Sequence, residues 1–262
     1  MKKLVIRLLI ALVVVVILAV LAVGLFLDRA IKASVETIGP KLTGVDIKLQ
    51  SVGLSVLSGS GSIKGLVVGN PEGFKTPSAI NVGTASFALK PGSLLSDKII
   101  VTSIKVEGPE ITFETDLRAN NLSKILANVQ AATSGGATEP AKPKEPSQPK
   151  EAKAGKKLQV DDLLITGGRI RVSVTTLGGQ AATRALPEIH LQNLGKDSDG
   201  ITPGELAKIL LEEIEKGAAQ AASETVADIR KGALYITKDL GKGDTNAVKK
   251  VTRGIGDLLK TK

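Results

Sequence analysis

Cysteine and tryptophan are absent from this chain, and it has a single histidine. Without thiols there can be no disulfide, thiolate metal site or cysteine nucleophile. The lone histidine, His190, leaves a serine–histidine mechanism one candidate base and a typical zinc site no second imidazole. Aromatic residues make up only 2% of the chain, so a core must be assembled from Val, Ile, Leu and Ala. The same scarcity removes the stacking platform that single-stranded nucleic acid needs. Basic residues outnumber acidic ones 35 to 26, a formal charge of +9. Much of that excess lies in a lysine-bearing linker and near the carboxy terminus. That placement suits anionic lipid head groups, acidic partners or plain solubility better than nucleic acid, which is not expected as a partner.

One long apolar run is present. Residues 8–27, from Leu8 through Val16 to Leu27, contain no charge and no polar side chain. As a helix rising about 1.5 Å per residue, such a run spans roughly the 30 Å of a bilayer's hydrocarbon core. Lys2, Lys3 and Arg7 precede it, so the positive-inside bias keeps the amino end cytoplasmic and sends the rest across. A cleaved signal peptide is the competing reading. The run is long for one, however, and it ends in Gly24-Leu25-Phe26-Leu27, bulky where a peptidase needs small residues. An uncleaved, single-pass anchor is expected, with the bulk periplasmic if the source is a bacterium. Ala30, Ile31, Ser34, Val35 and Ile38 continue the helical spacing, and Gly39-Pro40 is expected to stop it.

From Leu42 to Glu114 the apolar period is two. Val45, Ile47 and Leu49 alternate with polar neighbours, as do Phe87 with Leu89 and Ile111 with Phe113. Punctuated by Gly, Pro and Asn, these runs read as antiparallel strands with one wet face. Asn120-Asn121 then cap a short helix with Leu122, Ile125, Leu126 and Val129 on one face. Residues 133–157 hold four prolines, many lysines and glutamates and no large apolar side chain. They read as a solvated linker or an inserted loop.

Beyond the linker the earlier pattern returns. Ile104–Phe113 can be laid on Leu163–Val172 at a constant offset of 59, with glycine at the centre of each. One strand–turn–strand unit used twice, continuing the same sheet, accounts for this; chance likeness between alternating aliphatics is the alternative. Thr202-Pro203-Gly204-Glu205 is a capping box that opens a helix with Leu206, Ile209, Leu210 and Ile214 as its stripe. A last segment, Asn246–Leu259, is a basic amphipathic helix with Lys249, Lys250, Arg253 and Lys260 around its polar face. It either packs on its own domain or lies on a membrane surface.

Catalytic chemistry is not indicated. His190 alternates with Ile189 and Leu191 and belongs to a solvated strand face. Asp197-Ser-Asp199-Gly200 opens like a calcium loop, but Glu205 falls one position early, so a turn is expected. Gly59–Gly65 lacks the Gly-Lys-Ser/Thr ending of a phosphate loop, and the sequon at Asn121 begins a helix. No cofactor, metal or enzymatic activity is expected.

After the anchor come LSGSGSIKGLVVGNPEGF (57–74), KPGSLLSDKIIVTSIKVEGPEITFE (90–114), NNLSKIL (120–126), GGRIRV (167–172) and LPEIHLQNLGKDSDGITPGELAKIL (186–210). In this order they resemble the AsmA-like proteins of Gram-negative envelopes, over most of residues 1–215 apart from the linker. The resemblance implies an inner-membrane anchor and a periplasmic, curved, mainly antiparallel β-sheet with an apolar concave side. Larger relatives are implicated in outer-membrane integrity and phospholipid movement. This chain is short for a complete bridge across a periplasm. The expected class is α+β, with a transmembrane helix, a curved sheet and covering C-terminal helices. Its parts are 1–38 (anchor and exit helix), 39–132 (first part of the sheet), 133–157 (linker), 158–200 (continuation of the sheet) and 201–262 (helices). The resemblance further implies a lipid-facing groove, for which Phe87, Leu89, Ile111, Phe113, Ile170 and Val172 are the candidates. Two functions stand open: shielding lipid acyl chains in that groove, or acting as a closed structural or adaptor protein that docks an envelope partner through its C-terminal helices. Phospholipid, an envelope protein and a second copy of the chain are the candidate partners.

Overall fold

A computed structural model describes residue 24 and residues 26–115, 119–134, 156–174 and 180–239. The apolar run at 8–27 lies outside these residues apart from its last few, and so do Leu8, Val16 and the basic segment with Lys249, Lys250, Arg253 and Lys260. Among the described residues no helix is long and apolar enough to cross a membrane.

Helix α1 (26–43) does not stop at Gly39-Pro40 as its sequence suggests. Pro40 falls in the last turn, where it forgoes only one backbone bond. The stop comes at Gly44, in the left-handed conformation (φ 70°), whose amide bonds the Pro40 carbonyl at 2.9 Å. The helix lies along the outer edge of β1 (Ile47–Ser55). The Asp28 carboxylate accepts the Leu54 amide at 2.8 Å and Glu36 accepts the Leu49 amide at 3.0 Å, while Lys32 donates to the Gln50 carbonyl. Backbone groups that an edge strand leaves open are thus met by side chains.

β1, β2 (Ser60–Gly69) and β3 (Ser78–Leu89) form an antiparallel meander. β4 (Lys98–Glu107) and β5 (Glu110–Thr115) both pair with β3 in a single register, Val106 opposite Ala85 and Ile111 opposite Ile80. They are one strand bent at Gly108-Pro109. β6 (Lys157–Thr166) and β7 (Arg169–Val174) repeat this with a bend at Gly167-Gly168. β8 (Gln180–Ala185) and β9 (Ile189–Leu194) do so once more, pairing antiparallel with β7 and β6. The nine segments therefore make a sheet six strands wide, most of them creased.

The sheet is mixed rather than antiparallel throughout. Where the two copies of the sequence repeat meet, they run parallel: Ile104 pairs with Leu163, Ile111 with Ile170 and Phe113 with Val172. The sequence offset of 59 is the pairing register itself. The repeated unit is not a hairpin, because each central glycine bends its strand instead of reversing it. Gly108 and Gly167 take φ of 60° and 64°, and the bends stack through Gly108 N–H to the Thr166 carbonyl and Arg169 N–H to the Pro109 carbonyl, both 2.8 Å. A side chain at either glycine would be strained.

The same crease crosses other strands. Between the pairs Lys64–Thr84 and Leu66–Val82 the register sets Gly65 opposite Gly83, and continues the line toward Gly108 and Gly167. On one side of it, α2 (Asn121–Ser134) and α3 (Pro203–Asp239) pack on β5, β7 and β8 and on each other. The α2 stripe Leu122, Ile125, Leu126 and Val129 is buried in one core with Leu211, Ile214, Ala218 and Ala221 of α3. Asn120 caps α2 by accepting the Ser123 amide at 2.7 Å. The capping box of α3 forms as its sequence predicts: Glu205 N–H bonds the Thr202 hydroxyl at 3.1 Å, and Glu205 accepts the Thr202 amide at 2.7 Å.

Candidate functional site: an apolar face divided by a crease

Register partners share a face of a sheet, so the pairing builds the face rung by rung. One rung reads Val52–Ile63–Ala85–Val106–Ile165–Ile189. The next reads Leu54–Gly61–Phe87–Ile104–Leu163–Leu191. No polar side chain occurs in either. A side chain at 61 would collide with the Phe87 ring, which lies over that glycine. On the reverse face the intervening rungs carry Lys64 with Thr84, and Ser62 with Ser86, Lys105 and His190. Across the crease the apolar face resumes as Ile47–Val68–Ile80–Ile111–Ile170.

The cover over this face is uneven. Ile111, Phe113, Ile170 and Val172 are at most 5% exposed, beneath α2 and α3. These four of the six groove residues expected from sequence are therefore held by the chain's own helices. Leu89 is buried at the end of β3, and Phe87 is half-buried on the other side of the crease. There Val52, Ile63, Ala85, Ile104 and Val106 are also half-buried, while their rung neighbours Leu163 and Ile165 are buried. The stretch that sequence reasoning missed is thus Ile63, Ala85, Ile104 and Val106. The signal lay in odd spacings about the glycines: Ile63 to Leu66, Val82 to Ala85 and Val106 to Ile111 are each an odd number of residues apart, where strict alternation needs an even one.

Polar clusters lie elsewhere. Glu114, buried next to Phe113, accepts the Lys75 amide at 2.9 Å and the Thr76 amide and hydroxyl at 2.8 and 2.7 Å. Burial alone would raise its pKa, but these donors outweigh it and hold the carboxyl below the ordinary glutamate value. Asn121, the sequon residue, is buried and donates to Asn70 and to the Thr112 carbonyl. Together these groups pin the β2–β3 loop to the start of α2. His190 stands 44% exposed on the polar face, 2.7 Å from Asp162, and Gln192 also donates to Asp162. The His190 hydrogen bond, then that of Gln192, holds the Asp162 carboxyl below its usual value. Residues 195–200, including Asp197 and Asp199, form the expected turn before α3. Among the described residues no cluster of three or more His, Cys, Asp and Glu could hold a metal.

The resemblance implied a curved, mainly antiparallel sheet with an apolar side; the structure has an open, mixed sheet with an apolar face, and comparison with known families decides the family. Residues 1–251 match the AsmA family. The chain belongs to it. AsmA membership makes this an envelope-associated protein. No curated protein and no solved structure matches the chain.

Proposed function

We propose that this AsmA-family chain is a non-enzymatic, single-pass protein of the bacterial inner membrane. Its amino end is cytoplasmic and its sheet periplasmic, and the half-covered apolar face shields lipid acyl chains in support of outer-membrane lipid homeostasis. The observation that carries the reading is the contrast in cover. Two rungs without a polar side chain run the width of the sheet, their β2–β4 members Ile63, Ala85, Phe87, Ile104 and Val106 are half-buried, and α2 and α3 pack on β5, β7 and β8 across the crease. A row of half-buried Ile, Val, Ala and Phe side chains gains by meeting an apolar ligand, at roughly 25 cal/mol for each Å² removed from water. Acyl chains suit it because the face offers dispersion contacts and no hydrogen-bonding group. The alternative is an adaptor whose face is closed by an envelope partner or a second copy of the chain.

Photo-crosslinking in intact cells separates these. A benzophenone amino acid replaces Phe87, Ile104 or, as a control on the polar face, Lys105 in the full chain. Phospholipid adducts at 87 and 104 but not at 105 are expected. Protein adducts at 87 and 104 would favour the adaptor, and neither kind of adduct would defeat the lipid reading.

A further inference from the structure

Three large apolar side chains stand in the open at one end of the molecule: Phe26 at 71%, Leu57 at 77% and Leu95 at 95% exposed. They are far apart in sequence, and the fold gathers them. The Asp28 carboxylate bonds the Leu54 amide at 2.8 Å, and a side chain on Gly24 would come 3.6 Å from the Leu54 carbonyl. Gly24 and Asp28, which flank the end of the apolar run, are therefore level with the last residues of β1. Helix α1 proceeds from there toward the other end of β1, where Gly39 meets Ile47. Leu57 lies three residues past Leu54, in the turn leading to β2, so it reaches up to about 10 Å beyond that level. The Leu89 amide bonds the Gly59 carbonyl at 2.8 Å, which ties this turn to the end of β3. From β3 the chain enters the short 3-10 turn Pro91–Leu95, and a side chain on Gly59 would come 3.1 Å from Pro91. Leu95 thus shares the end that carries Leu57. Cations flank it: Lys90 and Lys156 are exposed, and the Lys156 ammonium donates to the Leu94 carbonyl. Arg29 is exposed on α1.

We infer that this end is a second membrane contact. Leu57 and Leu95 enter the head-group and acyl boundary of the leaflet from which the chain emerges, and Lys90, Lys156 and Arg29 meet its anionic head groups. Exposed leucines with Lys90 and Lys156 near Leu95, where Asp97 is the exposed acid, match that boundary, in which apolar side chains bury to a depth of about 5–10 Å beneath charged ones. The contact holds the strands upright on the leaflet, with the half-open part of the apolar face next to the lipid. This inference rests on the anchored reading proposed above.

The test uses the full chain, which has no native cysteine to remove. Single variants Leu57→Cys, Leu95→Cys, Val16→Cys and Glu72→Cys receive a polarity-sensitive fluorophore. Each is reconstituted into vesicles of phosphatidylethanolamine and phosphatidylglycerol containing nitroxide-bearing phospholipid. Glu72 is exposed in the β2–β3 loop, away from the β1–β2 turn, and Val16 reports the apolar run. Blue-shifted emission at 57 and 95, with quenching at least about threefold that at 72, is expected for burial at the interface. Positions 57 and 95 behaving like 72 while 16 is quenched would overturn the contact and leave the anchor standing. An unquenched label at 16 would overturn the anchor, and the contact with it.

Discussion

On either side of the glycine crease the sheet presents the same chemistry, yet the two sides differ in what they do with it. Ile80, Ile111 and Ile170 are sealed under two helices, whereas Ile63, Ala85 and Ile104 on the same face are left half-open. Hydrophobicity alone does not separate a core from a binding surface here. What separates them is where α2 and α3 are fastened. Glu114 and Asn121 pin the start of α2 to the closed side, and Arg184 of β8 ties α3 there by donating to Asp228 and Thr225.

Truncation of a matched pair gives the largest expected effect. Ile170→Ala should cost about 3–4 kcal/mol, because the closed side cannot relax around the cavity, and Ile104→Ala only about 1 kcal/mol. Urea unfolding of the full chain in detergent, followed by circular dichroism, measures both. Equal losses would mean that the open side is as tightly closed as the other. Next is the pin. Glu114→Gln should cost about 2 kcal/mol at neutral pH, since two backbone amides lose a charged acceptor. The sign of its pH dependence follows from the depressed folded pKa. The carboxylate's stabilisation is complete above the ordinary glutamate pKa and disappears as pH falls through the lower folded value. An acid titration of stability should therefore be steeper for the natural chain than for the Gln variant.

The crease itself is sharpened by two substitutions. Gly167→Ala, at a φ of 64°, should cost about 1–2 kcal/mol, whereas Gly83→Ala on the same line should stay within about 0.5 kcal/mol. Gly83 has no positive φ, and a side chain there would point into open space. Identical outcomes would mean that backbone conformation does not maintain the bend. The cover can be loosened at its start: Thr202→Ala removes the α3 cap and should cost about 1 kcal/mol, read by the same unfolding curves.

Local physics was legible in the sequence. The caps at Asn120 and Thr202, the α2 stripe and the offset of 59 between repeats each depend on residues that touch or on spacing that survives folding. The bend was not legible, because a left-handed glycine shifts the alternation by one position, and Val106 and Ile111 no longer look like members of one face. Closure of Ile111, Phe113, Ile170 and Val172 was hidden for a different reason. It depends on α3, more than thirty residues beyond Val172, packing back over β7. The Glu114 pin, bonded across 39 residues to Lys75, leaves no local trace either.

The lining of β1 by α1 limits how copies can associate. Asp28, Lys32 and Glu36 occupy hydrogen-bonding positions that an incoming strand would need, so templated growth from that margin is blocked. The opposite margin, at β8 and β9, has no strand beyond it among the described residues. Two molecules could join there tail to tail. A third would find no free strand to extend, and any polymer built by strand addition would end at a pair.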